Sequence, residues 1–305
     1  MAITVIHSIN AKTVAERHPI KRVDYRDERV FTIDNPDCKS HDDAIGITTT
    51  GKGWRLAIHI TDVADEVSLN SDLDRKEVKR SLKKGSFPMF RKTLAKNDFS
   101  ILQGETRKSM AFILYISYSG EVYKTELNKG LIRSRVNGEF KEVDEILNAD
   151  EENPVREELK EKYGSVIEDL KEMKKLCAVL ISKRTGKNIS KYENKVSAHG
   201  IISEFMTLTN MFAGEYLCKN GLPAFFRVVP KTTRTSTEIV PGINIEAYSQ
   251  VTSPIRDLES LKTHQILTAH LKGYSAAQIH DAFDEQLTLI RQNTLSKHFQ
   301  NGIAA

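Results

Sequence analysis

Of the four aspartates in the segment FTIDNPDCKSHDDAIGI, three bracket its turn: Asp34 at the end of a β-prone run, and Asp42 and Asp43 where the next run begins, with Asp37 inside the loop. The short loop through Asn35 and Pro36 gathers them at one end of a hairpin, where bunched negative charge is unfavourable unless a cation neutralises it. Hard oxygen donors on a loop suit Mg²⁺ or Mn²⁺. Such an ion could polarise a phosphodiester and generate a hydroxide nucleophile, and a second ion about 4 Å away could stabilise the leaving oxygen. The bland alternative is a solvated turn whose acids cap neighbouring backbone N–H groups. A calcium loop does not fit, because the third, fifth and sixth positions counted from Asp34 are Pro36, Cys38 and Lys39, where that loop needs Asp or Asn twice and then Gly.

The elements that must position these acids are short. Strands are expected at 30–34, 44–48 and 55–61, separated by Asn, Pro, Gly and Lys, with two more at 109–117 and 121–127 joined by the Ser119-Gly120 turn. Helical spacing of Leu73, Val78 and Leu82 marks 72–84, and Val143, Ile146 and Leu147 mark 141–148. A longer stripe covers 155–184, with a break expected at Gly164. Further helices are expected at 201–218, stopping at Asn220-Gly221, and at 254–272 and 276–300, on either side of Gly273. The first thirty residues read as a lead-in arm. This is an α+β pattern, a mixed sheet packed by several helices around one extended core, with no repeat and no linker that would separate two domains.

Composition narrows the class. At 305 residues, 39% hydrophobic and 28% charged, the chain resembles an ordinary soluble protein. No apolar run is long enough to cross a bilayer, and the N-terminus lacks a signal-peptide pattern, so no membrane partner and a cytoplasmic location are expected. Cys38, Cys177 and Cys218 are scattered and odd in number, as expected of reduced thiols. A net charge of +4 favours a polyanionic partner only weakly.

Five motifs then occur in one order. VFTIDNPDCKSHDDAIGI is followed by WRLAIHITDVADEV, FPMFRKTLAKNDFSIL, HGIISEFMTLTNMFAGEYL and, after LPAFFRVV, IEAYSQVTSPIR. Together they resemble the catalytic (RNB) domain of the ribonuclease II and ribonuclease R family over roughly residues 22 to 300. The resemblance implies a single large catalytic domain at 22–305 behind an arm at 1–21, in a short form without flanking oligonucleotide-binding barrels. It also implies metal-dependent 3′-to-5′ hydrolysis of single-stranded RNA to nucleoside 5′-monophosphates.

By that resemblance Asp34 and Asp43 would ligate Mg²⁺ or Mn²⁺, Asp42 would hold or activate the attacking water, and Arg256 would grip the phosphate beside the scissile bond. Glu204 and Asn210 would belong to the nucleotide-binding wall, with helix capping or polar packing as their alternative. Tyr248 would stack on a base or simply pack, and His264 would be structural.

The chain departs from the family pattern in several places. Ser40 stands where the family has a further acid of the turn. The family's stacking Tyr before Pro-Met has no counterpart unless Phe87 substitutes. Asp257 replaces a second basic residue after Arg256 and would repel RNA. No acid follows Glu285 to supply the family's late carboxylate. Without the barrels, turnover should be slow and distributive. The rival expectation is a catalytically impaired domain that binds RNA or modulates an RNA-processing protein partner.

Overall fold

The computed structural model describes residues 20–82, 89–192, 195–225 and 248–284 together with residue 286. Phe87, Glu285, most of the N-terminal arm and the end of the last expected helix lie outside the described residues.

Six strands form one mixed sheet: β1 (Val23–Asp24), β2 (Val30–Asp34), β3 (Asp43–Thr50), β4 (Gly53–Thr61), β5 (Thr106–Ser117) and β6 (Val122–Glu139). From β2 to β6 each strand pairs antiparallel with the next, β2 touching β3 at the single pair Phe31 and Ile45 beside the acidic loop. Strand β6 continues beyond its pairing with β5 and runs parallel to β2, so β2 to β6 close into a ring. Residues 23–24, expected within an arm, already pair with β6 at Gly130 and Leu131.

Side chains alternate between the two faces of a strand, and two cores result. Leu56, Ile58 and Ile60 of β4 join Met110, Phe112 and Leu114 of β5 in the main core beneath the helices. Ala57, Ala111 and Ile113 point the other way, to a smaller cluster with Tyr25 and Ile101.

Strand β6 outruns its expected end at residue 127. The remaining stretch, NKGLIRSRVNGE, contains two glycines, a residue that weakens strand interiors. Both are demanded by packing. A Cβ on Gly130 would lie 2.8 Å from the Tyr25 ring, and one on Gly138 would lie 2.9 Å from Tyr163 Oη.

The helices follow as α1 (Val63–Glu66), α2 (Asp72–Leu82), α3 (Phe140–Asn148), α4 (Glu157–Tyr163), α5 (Ile167–Thr185), α6 (Ala198–Lys219) and α7 (Leu258–Leu271), with a last helical stretch at 276–284. The break expected at Gly164 separates α4 from α5. A π-helical turn at Leu94–Phe99 precedes β5.

Helix α7 runs through the interior, and residues 260–269 are all buried. Its polar side chains are therefore paired. Lys262 Nζ donates to Asp74 Oδ1 at 2.6 Å, and Thr268 Oγ1 accepts from Lys129 Nζ at 2.6 Å while the same ammonium donates to Asp62 at 2.5 Å. Buried charges persist only when matched in this way. They fix α7 against the sheet, and with it the segment just before the helix, which carries Arg256.

Candidate functional site

Asp34 closes β2 and Asp43 opens β3, so the turn between them projects from the end of the sheet. The backbone of that turn is held by the protein itself. Cys38 N donates to Asn35 O at 2.9 Å, His41 N to Ser100 Oγ at 2.9 Å, Ile101 N to His41 O at 3.0 Å, and Thr61 N to Asp42 O at 2.8 Å.

The side chains divide into two groups. Asp34 turns its carboxylate back into the loop, where His41 Nδ1 lies 2.5 Å from Oδ2 and the Cys38 sulfur 3.4 Å from Oδ1. The same sulfur lies 3.1 Å from the Ser40 carbonyl oxygen. Asp42 points the other way and is buried. Ile255 N donates to its Oδ1 at 3.0 Å, and Arg256 Nη1 to its Oδ2 at 2.5 Å. The guanidinium side chain remains 60% exposed. Asp43 is partly shielded from solvent and, among the described residues, its carboxylate makes no hydrogen bond.

This arrangement raises the energy of negative charge. Burial pushes the Asp43 carboxyl up to about 8, and the neighbouring charges of Asp34 and Asp42 add to the effect. Burial likewise raises Asp42 to about 6, the Arg256 cation holding it from rising further. The Cys38 thiol is pushed up to about 11 by burial and then by Asp34.

Asp34, Cys38, Asp43 and Arg256 line one cavity of about 420 Å³, which Thr252 and Met206 also border. The structure therefore brings together the two residues expected to hold metal and the arginine expected to hold phosphate. Asp42 lies behind Arg256, with both oxygens engaged. Asp42, expected to hold or activate water, is thus bonded to Ile255 N and the Arg256 guanidinium.

Glu204 is not brought to this cavity. Arg184 donates to it twice, at 3.2 and 3.0 Å, and it borders a separate groove beside the β5–β6 hairpin. Asn210 is buried, and both ends of its amide are used within the protein: Nδ2 donates to Tyr248 Oη at 2.8 Å and Oδ1 accepts from Val251 N at 2.8 Å. The pair fastens the segment 248–251 to α6, which sets the course of the chain toward Arg256. His264 is buried, its Nε2 2.8 Å from Val251 O. Asp257 caps α7, accepting from Ser260 N at 2.8 Å and Ser260 Oγ at 2.7 Å. An acid at that position is thus accounted for by the helix it starts.

Cys38 and His41 are the members of the site that sequence reading passed over. The signal was present as ligand-type residues four and seven positions after Asp34, but Cys38 read only as a free thiol.

The RNB domain family matches residues 22–241. An uncharacterized ribonuclease of Synechocystis is 24% identical over an alignment covering 92% of this chain and 49% of that protein. RNase R of Mycoplasma genitalium in complex with ribose-methylated single-stranded RNA superposes with a TM-score of 0.65 at 18% identity, over 92% of this chain and 58% of that one. Yeast Ssd1, a pseudonuclease, superposes with a TM-score of 0.58 at 12% identity, over 87% and 45%. The chain spans between 32% and 49% of the length of the first curated relatives it matches. Among the described residues no helix is long and apolar enough to cross a membrane. With the family's match covering most of its length and its fold shared with RNase R, this chain belongs to the RNB domain family.

Proposed function

We propose that the chain is a metal-dependent exoribonuclease that degrades single-stranded RNA from the 3′ end to nucleoside 5′-monophosphates, slowly and distributively, in the cytoplasm. One observation carries this reading: Asp34, Asp43 and Arg256 face a common cavity.

The donor set fits a hard divalent ion. Among the described residues Asp43 has an unpaired carboxylate beside Asp34, and magnesium is commonly held by one or two carboxylates with water and substrate phosphate completing its shell. Mg²⁺ or Mn²⁺ held by Asp34 and Asp43 would supply the charge that polarises the scissile phosphodiester and acidifies the attacking water. Arg256 would present the guanidinium nitrogens that make no bond among the described residues to a phosphate oxygen while Asp42 fixes its orientation. Asp42 is buried behind Arg256 and is not among the residues that line the cavity, so positioning is its favoured role. Asn210 and Tyr248 act through the 248–251 segment, and Glu204 lies apart from the reacting centre. RNA as the ligand class is supported by the RNase R complex of the same fold.

A second reading, a catalytically impaired domain that binds RNA or modulates an RNA-processing protein, is favoured by Ser40 in place of an acid of the turn. A 5′-labelled single-stranded oligoribonucleotide incubated with Mg²⁺ or Mn²⁺ separates the two. The nuclease reading expects a ladder shortening from the 3′ end that Asp43→Asn abolishes. Wild type and variant equally inert, with both retaining RNA, would establish the second reading.

A further inference from the structure

The acidic turn carries two donors for which magnesium has little use, a thiol and an imidazole. We propose that Asp34, Cys38 and His41 form a binding site for a thiophilic divalent transition-metal ion, Zn²⁺ foremost. One donor atom from each of the three lies within 4.8 Å of the others. Tetrahedral zinc, with bonds of about 2.0 to 2.3 Å, holds its ligands roughly 3.3 to 3.8 Å apart. The Cys38 sulfur already stands 3.4 Å from Asp34 Oδ1, and the His41–Asp34 pair at 2.5 Å has only to open by about 1 Å to admit an ion.

The scaffold suits such a site. Cys38 and His41 are separated by two residues, a spacing that lets a tight turn aim both side chains inward. Their backbone is fastened by Asn35, Ser100 and Ile101 rather than by any ligand. The His41 and Asp34 side chains are each nearly one-fifth exposed, and Asp34 and Cys38 open onto the cavity, which gives an ion a path in. Independently, the carboxylate of Asp43, unpaired among the described residues, borders the same cavity as Asp34 and Cys38, which keeps a further oxygen donor near the turn without placing it among the three ligands. Soft and borderline donors select zinc over magnesium, which takes oxygen ligands in octahedral geometry.

The site shares Asp34 with the proposed catalytic centre, so Zn²⁺ and Mg²⁺ compete there, but its existence rests on the geometry of the turn and not on RNA cleavage. Cobalt reports on it directly. The full chain carrying Cys218→Ser, which removes the exposed thiol, is titrated with Co²⁺ and followed by absorption. The expected result is one ion per chain with a near-ultraviolet thiolate-to-cobalt band, displaced by equimolar Zn²⁺ but by Mg²⁺ only at a large excess. Cys38→Ser should erase the band, and Cys38→Ser and His41→Asn should each weaken zinc at least about tenfold. A spectrum indifferent to Cys38→Ser, or displacement by Mg²⁺ as readily as by Zn²⁺, overturns the proposal. Oligoribonucleotide cleavage measured in parallel keeps the two ideas apart: cleavage in Mg²⁺ without the cobalt band defeats only the zinc site, and the band without cleavage defeats only the nuclease reading.

Discussion

Asp43→Asn should make the metal-free protein more stable. Its carboxyl is raised from 3.8 to about 8 in the folded state, so the chain folds more readily with Asp43 protonated. That contribution is fully present below pH 3.8 and is lost as pH rises through about 8. A tenfold difference in proton affinity is worth about 1.4 kcal/mol, and water entering the cavity screens much of the effect, which leaves about 2 kcal/mol at pH 8. For a chain of this size that is roughly 4 °C in Tm. Thermal unfolding in chelator-treated buffer should place the variant above wild type at pH 8, with the gap closing toward pH 4. Adding Mn²⁺ should reverse the order, because only wild type keeps the second carboxylate. If the variant is no more stable than wild type without metal at pH 8, the carboxylate is not a strained, uncompensated charge.

Restoring the acid of the turn with Ser40→Asp should tighten Mn²⁺ binding by about tenfold, measured by isothermal titration; an unchanged affinity would mean that the side chain at this position points away from the ion. Asn210→Ala removes the bonds to Tyr248 and Val251 and should cost about 1 to 3 kcal/mol in denaturant unfolding, whereas no cost would show that these bonds do not hold the 248–251 segment. Lys129→Met leaves the buried Asp62 with Arg22 as its one charged partner among the described residues and should cost about 3 to 5 kcal/mol, a loss that a joint Asp62→Leu change should largely recover. Asp257→Ala should cost about 1 kcal/mol through the lost cap of α7; a large gain in RNA affinity instead would show that repulsion was its main effect.

The family, the α+β class and most elements were legible in the sequence, since they depend on local pattern: alternation along β4 and β5, the helical stripe of α3, the breaker Gly164 between α4 and α5. The cluster of Asp34, Asp42 and Asp43 was equally plain, because a short loop forces nearby residues together whatever the rest of the chain does. What each acid faces was decided only by the tertiary structure. Asp42 meets Arg256 across more than two hundred residues, and no spacing along the chain announces that pairing. Asn210 and Tyr248, which read as candidate RNA contacts, bond each other, and Glu204 bonds Arg184, pairings equally invisible in sequence spacing. The strand expected to end at residue 127 continues through Gly130 and Gly138, and the rings of Tyr25 and Tyr163 that require those glycines lie far away in sequence. Residue types and short spacings fix which chemistry a loop can perform, whereas the direction of each side chain depends on long-range packing that brings distant partners within bonding distance.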